Sequence, residues 1–254
     1  MPPISAVIIT RNEAVNIGRC LASLDGVVDE IIVLDGQSDD GTPQICREYG
    51  ARVVDQEWLG FAATKNAGNA MARHDVILSI DADEVLSDDL RESIRSIDAG
   101  TVGACSFNRL TRYCGQWVRH SGWYPDVKIR LFDRRVARWE GDFVHETLRV
   151  DAGVPHIHLR GDLLHYSFDS ISDHLRRLDR YSDLAAREMA GRGRRAGWSK
   201  LVLSPLWKIL KVYLVKQGFR DGFAGLAIAV LSGVDVFVRY AKLYRLNRDS
   251  HNAS

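Results

Sequence analysis

The sequence is poor in sulfur: four cysteines (Cys20, Cys46, Cys105 and Cys114) and three methionines in 254 residues. No two cysteines form a CxxC pair or stand at zinc-finger spacing. That excludes a cysteine-held zinc or redox motif, and reduced thiols in a cytosolic setting are expected. Six prolines and 21 glycines leave no room for a collagen-like or low-complexity segment. The opening MPPISAVIITRNEA lacks a basic stretch followed by a long apolar one, so no signal peptide is expected. Long apolar runs are missing too: Gly222–Val234 ends at Asp235, short of the roughly 20 residues a membrane span needs. Net charge is also scarce, at +1, but its distribution is uneven. Residues 1–100 carry 18 acids and 8 Lys+Arg, and residues 101–254 carry 15 and 26. The acidic part suits a divalent cation. The basic part suits an anionic partner, and it lacks a recognisable nucleic-acid reading module, so no nucleic acid is expected.

What is present is a rhythm. Ile4–Thr10 is a short β-branched run, the pattern of a strand buried on both faces; Glu30–Leu34 reads as a second buried strand, and Ala51–Asp55 and Val76–Ile80 as a third and a fourth strand. Between them Asn16–Leu24, Pro43–Tyr49 and Thr64–Met71 carry helical spacing. This alternation predicts an α/β fold with a mostly parallel sheet flanked by helices. After Gly100 the pattern turns to aromatic-rich strands and loops. Ser170–Met189 is predicted helical, with Leu175, Leu178, Tyr181 and Leu184–Ala185 on one side, and Trp198–Leu246 as two or three further helices. The expected organisation is an α/β domain over 1–168 and a helical, basic extension over 169–254.

In such sheets, ligands bind beyond the carboxyl ends of the strands. Three polar clusters fall there. Asp81-Ala-Asp83-Glu84 gathers carboxylates that repel unless a cation neutralises them, and oxygen ligands suit Mg²⁺ or Mn²⁺ bridging a diphosphate. The plain alternative is a cap on the next helix, Asp88–Ile97. Asp35-Gly-Gln-Ser-Asp-Asp-Gly-Thr42 places a carboxylate before a Gly-bearing loop, suited to a nucleobase or ribose, or to turn-making alone. In Thr10-Arg-Asn-Glu13, Arg11 can stack on a base or pair a phosphate and Glu13 can reach a ribose, while Asn12 and Glu13 also suit a helix cap. Further on, Trp123 and Tyr124 stand beside Arg119 and His120. Aromatic faces stack on sugar rings and cations pair acceptor phosphates or carboxylates. Trp117 is expected in the core.

The segments AVIITRNEAVNIGRCLASL, EIIVLDGQSDDGT, FAATKNAGNA and ILSIDADE, in that order, resemble the family 2 glycosyltransferases, which have the GT-A nucleotide-sugar fold. The loop departs from the family's commoner D-S-G-S-T-D-G-T at Gly36, Gln37 and Asp39. The resemblance continues through RHSGWYPDVKIRLFDR, FVHETL, GDLLHYS, SPLWKILKVYLVKQGFRDGFAGL and YAKLYRL. It is similar to the bacterial subgroup that adds a β-linked glucose to the inner core of lipopolysaccharide.

The resemblance implies a nucleotide-sugar site of Thr10, Arg11, Glu13, Asp35, Lys65, Asn66 and Asp81, with Asp35 accepting the uracil imide hydrogen. It implies a Mg²⁺ or Mn²⁺ held by Asp83 and completed by His165, whose alternative is a core histidine. Inverting transfer needs a carboxylate to take the acceptor hydroxyl proton. Glu146 stands at the family's place for it, with Asp126 the runner-up and an ion pair with a nearby arginine the structural alternative. Arg119, His120, Trp123 and Tyr124 are the expected acceptor contacts.

Residues 174–220 carry 12 Lys+Arg against 3 acids, with Trp and Leu interleaved from Trp198 to Phe219. Such a helix suits an anionic membrane surface, or it packs on the catalytic domain with its lysines in water. The expected activity is metal-dependent transfer of a hexose, glucose foremost, from a UDP-sugar to the lipopolysaccharide core, by a cytoplasmic protein peripheral on the inner membrane. Two alternatives stay open: a sugar-phosphate nucleotidyltransferase, and a non-catalytic glycan- or phosphate-binding protein at a membrane.

Overall fold

The structure is a computed structural model describing residues 1–98, 102–141 and 146–252. Its first stretch alternates as predicted: β1 (Ile4–Thr10), α1 (Ile17–Leu24), β2 (Glu30–Asp35), α2 (Thr42–Glu48), β3 (Arg52–Asp55), α3 (Phe61–Met71) and β4 (Val76–Asp81). These strands pair in parallel in the order β3-β2-β1-β4. The remaining strands are β5 (Glu84–Leu86), β6 (Ala104–Tyr113), β7 (Gln116–Trp117), β8 (Asp126–Asp133), β9 (Ala137–Glu140), β10 (Thr147–Val150) and β11 (His156–Phe168), with α4 (Asp88–Arg95) after β5. The sheet continues past β4 through β8, β6, β11 and β5; β8 joins β4 antiparallel, and β9 and β10 form a separate ribbon.

The side-chain period of two divides β1 between two cores. Ile4, Ala6 and Ile8 pack with Ile17, Cys20, Leu21 and Leu24 of α1. Val7 and Ile9 pack on the opposite face with Ala62 of α3. Helix α3 lies close on the sheet because residue 68 is glycine. A Cβ there would come within 2.5 Å of Val7 Cγ1 and 2.6 Å of Leu34 Cδ1.

The chain divides into two compact units, Met1–Arg109 with Asp126–Tyr166, and Leu110–Pro125 with Ser167–Ser254. Segment 110–125, which the sequence pattern grouped with the α/β domain, thus clusters with the C-terminal helices. The second unit holds α5 (Ile171–Gly191), α6 (Trp198–Leu210), a π-helical turn (Lys211–Val215), a 3₁₀ turn (Gly218–Asp221) and α7 (Gly222–Asn252). Its core joins Tyr113 and Val118 to Val212, Ala224, Ile228 and Ala229. Ser170 and Asp173 cap α5 reciprocally.

Two expectations for this unit are corrected. Leu175, Tyr181 and Leu184 of α5 are exposed, and the buried row is Leu178, Ser182 and Ala186. Small residues at that spacing let the helix approach α7 closely. The apolar run beginning at Gly222 does not end at Asp235, because one acid on an otherwise helical stretch does not stop a helix. Over Gly218–Asp249 the chain is long and apolar enough to cross a membrane by length and composition, with 39% of its most apolar window buried inside the molecule. One stripe of α7 (Ala224, Ile228, Ala229, Val236, Leu243) is buried, while Phe223, Leu226, Val230, Val234 and Phe237 are exposed.

We predict that Gly68→Ala lowers stability by about 1–3 kcal/mol through overpacking against Val7 and Leu34, read from urea denaturation midpoints.

Candidate active site

The parallel register aligns the ends of three strands. Thr10 pairs with Asp35 across β1 and β2, and Ile9 pairs with Asp81 across β1 and β4. The two loops leaving β1 and β2 are stitched together: Asn12 N–H donates to Ser38 Oγ (2.8 Å), Asp39 N–H to Asn12 Oδ1 (2.9 Å), and Glu13 N–H to Thr42 Oγ1 (2.8 Å). Asn12 and Gln37 take left-handed backbone, with φ of 56° and 61°. Asp35 is buried and accepts Ser38 N–H (2.9 Å) and Ser38 Oγ–H (2.6 Å), so its carboxylate anchors its own loop. Glu13 accepts Asn16 Nδ2 (2.7 Å), which ties it to the start of α1. Thr10 is buried with its Oγ1 unpartnered, and Arg11 is exposed.

The DADE acids part company in the fold. Asp81 closes β4, Ala82 and Asp83 make a tight turn, and Glu84 opens β5. The next helix is capped by Ser87, which accepts Leu90 N–H, so the three acids are not its caps. Glu84 is fully buried, accepts Asp81 N–H (2.9 Å) and pairs with Arg109 (3.5 Å) and Arg130 (3.4 Å). Asp81 pairs with Arg130 (2.7 Å) and Lys65 (3.1 Å). Burial works to raise the Asp81 carboxyl, but Arg130 and then Lys65 outweigh it, holding the group well below the usual carboxylate range. Burial likewise works to lower the Arg130 guanidinium, and Asp81 and Glu84 push it well above its ordinary value.

Asp83 alone of the three has no Lys or Arg partner among the described residues. It faces His165, with Nε2 3.2 Å from Oδ2. The pairing of β5 with β11 creates this contact: His165 stands opposite Glu84, and Tyr166 N–H donates to the Asp83 carbonyl (2.9 Å). A carboxylate and an imidazole side by side fit two positions on a divalent cation. Among the described residues no group of three or more His, Cys, Asp or Glu converges.

Lys65 is 2% exposed and reaches Glu146 (3.5 Å) as well as Asp81, with its ammonium 4.6 Å from the centroid of the Trp139 ring. Glu146 is therefore paired with a lysine, where the sequence suggested an arginine. The adjoining Phe143–His145 of FVHETL lies outside the described residues. Asp126 is held on both oxygens, by Arg109 (2.8 Å) and Lys128 (3.0 Å). Asn66 is engaged within the protein. Its Nδ2 donates to the Trp139 carbonyl (2.8 Å) and its Oδ1 accepts Trp139 N–H (3.0 Å), so the amide braces β9 against α3 rather than facing a ligand.

In the second unit Arg119 is exposed, His120 and Tyr124 are half-buried, and Trp117 is half-buried rather than core. Trp123 packs on Tyr113 (5.8 Å between centroids) and Phe168 (5.5 Å), which makes it a member of that unit's aromatic cluster.

Sequence reasoning missed Arg130 and Arg109. Both lie in the stretch after Gly100 that reads as aromatic-rich strands and loops, and no local pattern there marks either arginine as a partner of the DADE acids. We predict that Arg130→Leu destabilises the protein by about 3 kcal/mol, because it leaves Asp81 and Glu84 short of a buried counter-ion. Equilibrium urea unfolding against wild type checks this.

The family model for glycosyl transferase family 2 matches residues 5–150. An uncharacterized glycosyltransferase of Rickettsia typhi is 30% identical over 99% of this chain and 90% of its own length. The lipopolysaccharide core biosynthesis glycosyltransferase LpsC of Rhizobium meliloti is 28% identical over 96% of this chain and 92% of its own. The mannosyltransferase PcManGT of Pyrobaculum calidifontis, solved with GDP-mannose and Mn²⁺, shares the fold at 16% identity, with a TM-score of 0.50 over 99% of this chain and 80% of that one. The architecture is the GT-A fold, and the chain belongs to glycosyl transferase family 2.

Proposed function

We propose that this glycosyltransferase moves a hexose, glucose foremost, from a UDP-sugar to a hydroxyl of the lipopolysaccharide inner core with inversion. The observation that carries the proposal is the corner where Lys65 joins Glu146 to Asp81, two residues from the Asp83–His165 pair. In this reading Asp35 accepts the uracil imide hydrogen at the end of β2. Thr10, Arg11 and Glu13 line the nucleoside pocket at the end of β1. Asp83 and His165 hold Mg²⁺ or Mn²⁺, which stabilises the departing nucleoside diphosphate. Lys65 keeps Asp81 and Glu146 together without leaving either carboxylate uncompensated. Glu146 takes the proton of the acceptor hydroxyl as that oxygen bonds the anomeric carbon from the face opposite the breaking bond to UDP. No covalent enzyme intermediate is needed. Glu146 suits this role better than Asp126, because only one of its oxygens meets a cation among the described residues. The likeness to LpsC supports the acceptor class.

The second unit supports attachment to an anionic membrane from the cytoplasmic side. On α6, Trp198 is 75% and Trp207 61% exposed, with Leu203, Leu206 and Leu210 exposed beside them. Lys200, Lys211 and Lys216 stand exposed along the same stretch, so apolar anchors and cations are offered together.

Donor identity is tested by UDP release from a panel of UDP-sugars with deacylated core oligosaccharide as acceptor. UDP-glucose is expected to give the highest turnover. Glu146→Gln is expected to lower kcat by about 10²–10⁴-fold with UDP binding retained, and Asp83→Ala to lose Mn²⁺-dependent UDP binding by calorimetry. Near-normal turnover in Glu146→Gln removes it as the base. Membrane attachment is tested by flotation with phosphatidylglycerol-containing vesicles: the wild-type protein is expected to float, and the Leu203→Glu, Trp207→Glu double variant to stay in solution.

A further inference from the structure

The segment Arg119–Tyr124 is fastened by a residue about a hundred positions further along the chain, Asp221, the last residue of the 3₁₀ turn before α7. Asp221 is 3% exposed. Its Oδ1 accepts Arg119 N–H (3.1 Å), and its Oδ2 accepts His120 N–H (3.0 Å) and Ser121 Oγ–H (2.8 Å). Its backbone carbonyl accepts Gln116 Nε2 (2.9 Å), and Ser121 N–H donates to the Lys216 carbonyl (2.9 Å). All of these bonds lie within the second unit.

The loop needs holding. Ser121 and Gly122 take φ of 59° and 78°, and for serine that is a sparsely populated conformation that persists only when its surroundings impose it. The clamp is also specific in what it grips. Among the described residues Asp221 has no Lys or Arg partner, and its carboxylate is spent on two consecutive backbone N–H groups and one hydroxyl of this loop. A buried carboxylate without a cationic partner is costly, and charge-assisted bonds to backbone N–H groups are the stronger kind that offset such a cost. The result is a fixed backbone from which the Arg119 side chain projects into solvent. A rigid backbone bearing an exposed cation recognises anionic groups without first having to order itself.

We propose that Asp221 is the positioning residue for acceptor recognition: it holds the Arg119–Ser121 backbone so that Arg119 and His120 meet the anionic groups of the core oligosaccharide. This rests on the reading of Arg119 and His120 as acceptor contacts.

The test uses the full-length protein with UDP-glucose and deacylated core oligosaccharide, and compares Asp221→Ala, Asp221→Asn, Ser121→Ala, Arg119→Ala and His120→Ala. Acceptor KM, kcat, UDP-glucose hydrolysis without acceptor, and UDP affinity with Mn²⁺ are measured for each. Asp221→Ala is expected to raise acceptor KM about tenfold, equivalent to one lost charge-assisted bond, with hydrolysis and UDP affinity unchanged. Asp221→Asn, which keeps one accepting oxygen, is expected to recover part of the loss. Ser121→Ala, which removes one bond of the clamp, shows a smaller rise and carries the test if Asp221→Ala does not fold. If Arg119→Ala and His120→Ala raise acceptor KM while the Asp221 and Ser121 variants do not, the positioning role is overturned and the acceptor reading stands. If Arg119→Ala and His120→Ala leave acceptor KM unchanged, the acceptor reading fails and the proposal with it. Parallel loss of hydrolysis and transfer in the Asp221 and Ser121 variants also overturns it, since damage of that kind is not selective for the acceptor.

Discussion

The pairing of Lys65 and Arg130 with Asp81 is what allows this sheet to end as it does. Three carboxylates within four residues would repel strongly at a buried strand end. Arg130 and Lys65 neutralise Asp81, and Arg130 with Arg109 neutralises Glu84. The compensation is selective: among the described residues Asp83 has no Lys or Arg partner and faces the His165 imidazole. The network thus serves the fold, by making an acidic turn with a fully buried Glu84 tolerable, and it leaves Asp83 outside the lysine and arginine pairs of the described residues. It also extends to Glu146 through the same ammonium, so the candidate base and the acidic turn share a counter-ion.

The second unit follows a different logic. Its core is aromatic and aliphatic, and its helices approach closely where small residues permit it. A Cβ at Gly233 would fall 2.5 Å from Ile209 Cγ1, and Ser182 and Ala186 line the buried row of α5. Yet it leaves many large apolar side chains on the outside, on α6 and on the second stripe of α7. Lys200, Lys211 and Lys216 stand exposed along the same stretch of chain as the α6 side chains. The same unit carries the loop fastened by Asp221, so the exposed apolar side chains of α6 and α7 and that loop belong to one compact body.

Much of the fold was legible because it is local. The β-branched runs and their helical partners gave the order of β1–α3 and β4 to within a residue or two at most ends, since β1, β2 and β4 are buried almost throughout and show no polar alternation to confuse the pattern. The strand-end clusters were legible for the same reason. Asn66 was not: a Lys-Asn pair on a helix says nothing of whether its amide faces a ligand or the backbone of β9. The cap alternative for DADE was likewise undecidable until β5 intervened between the turn and Ser87. The buried row of α5 was not legible: the sequence puts Leu175, Leu178, Tyr181 and Leu184–Ala185 on one side, and of these only Leu178 is buried, beside Ser182 and Ala186.

Composition and order along the chain determined the α/β alternation, the acidic strand ends and the basic, tryptophan-bearing tail, because each is written in spacings of a few residues. Only the tertiary structure decided which carboxylates are compensated and which stand apart. Arg130 lies one residue beyond the paired Leu78 and Leu131 of β4 and β8, His165 meets Asp83 through the β5–β11 pairing, and Asp221 reaches the loop at Arg119 across the second unit. Each is a contact between residues about 50 to 100 positions apart, and such neighbours are set by strand register and helix placement, which no local pattern in the chain encodes.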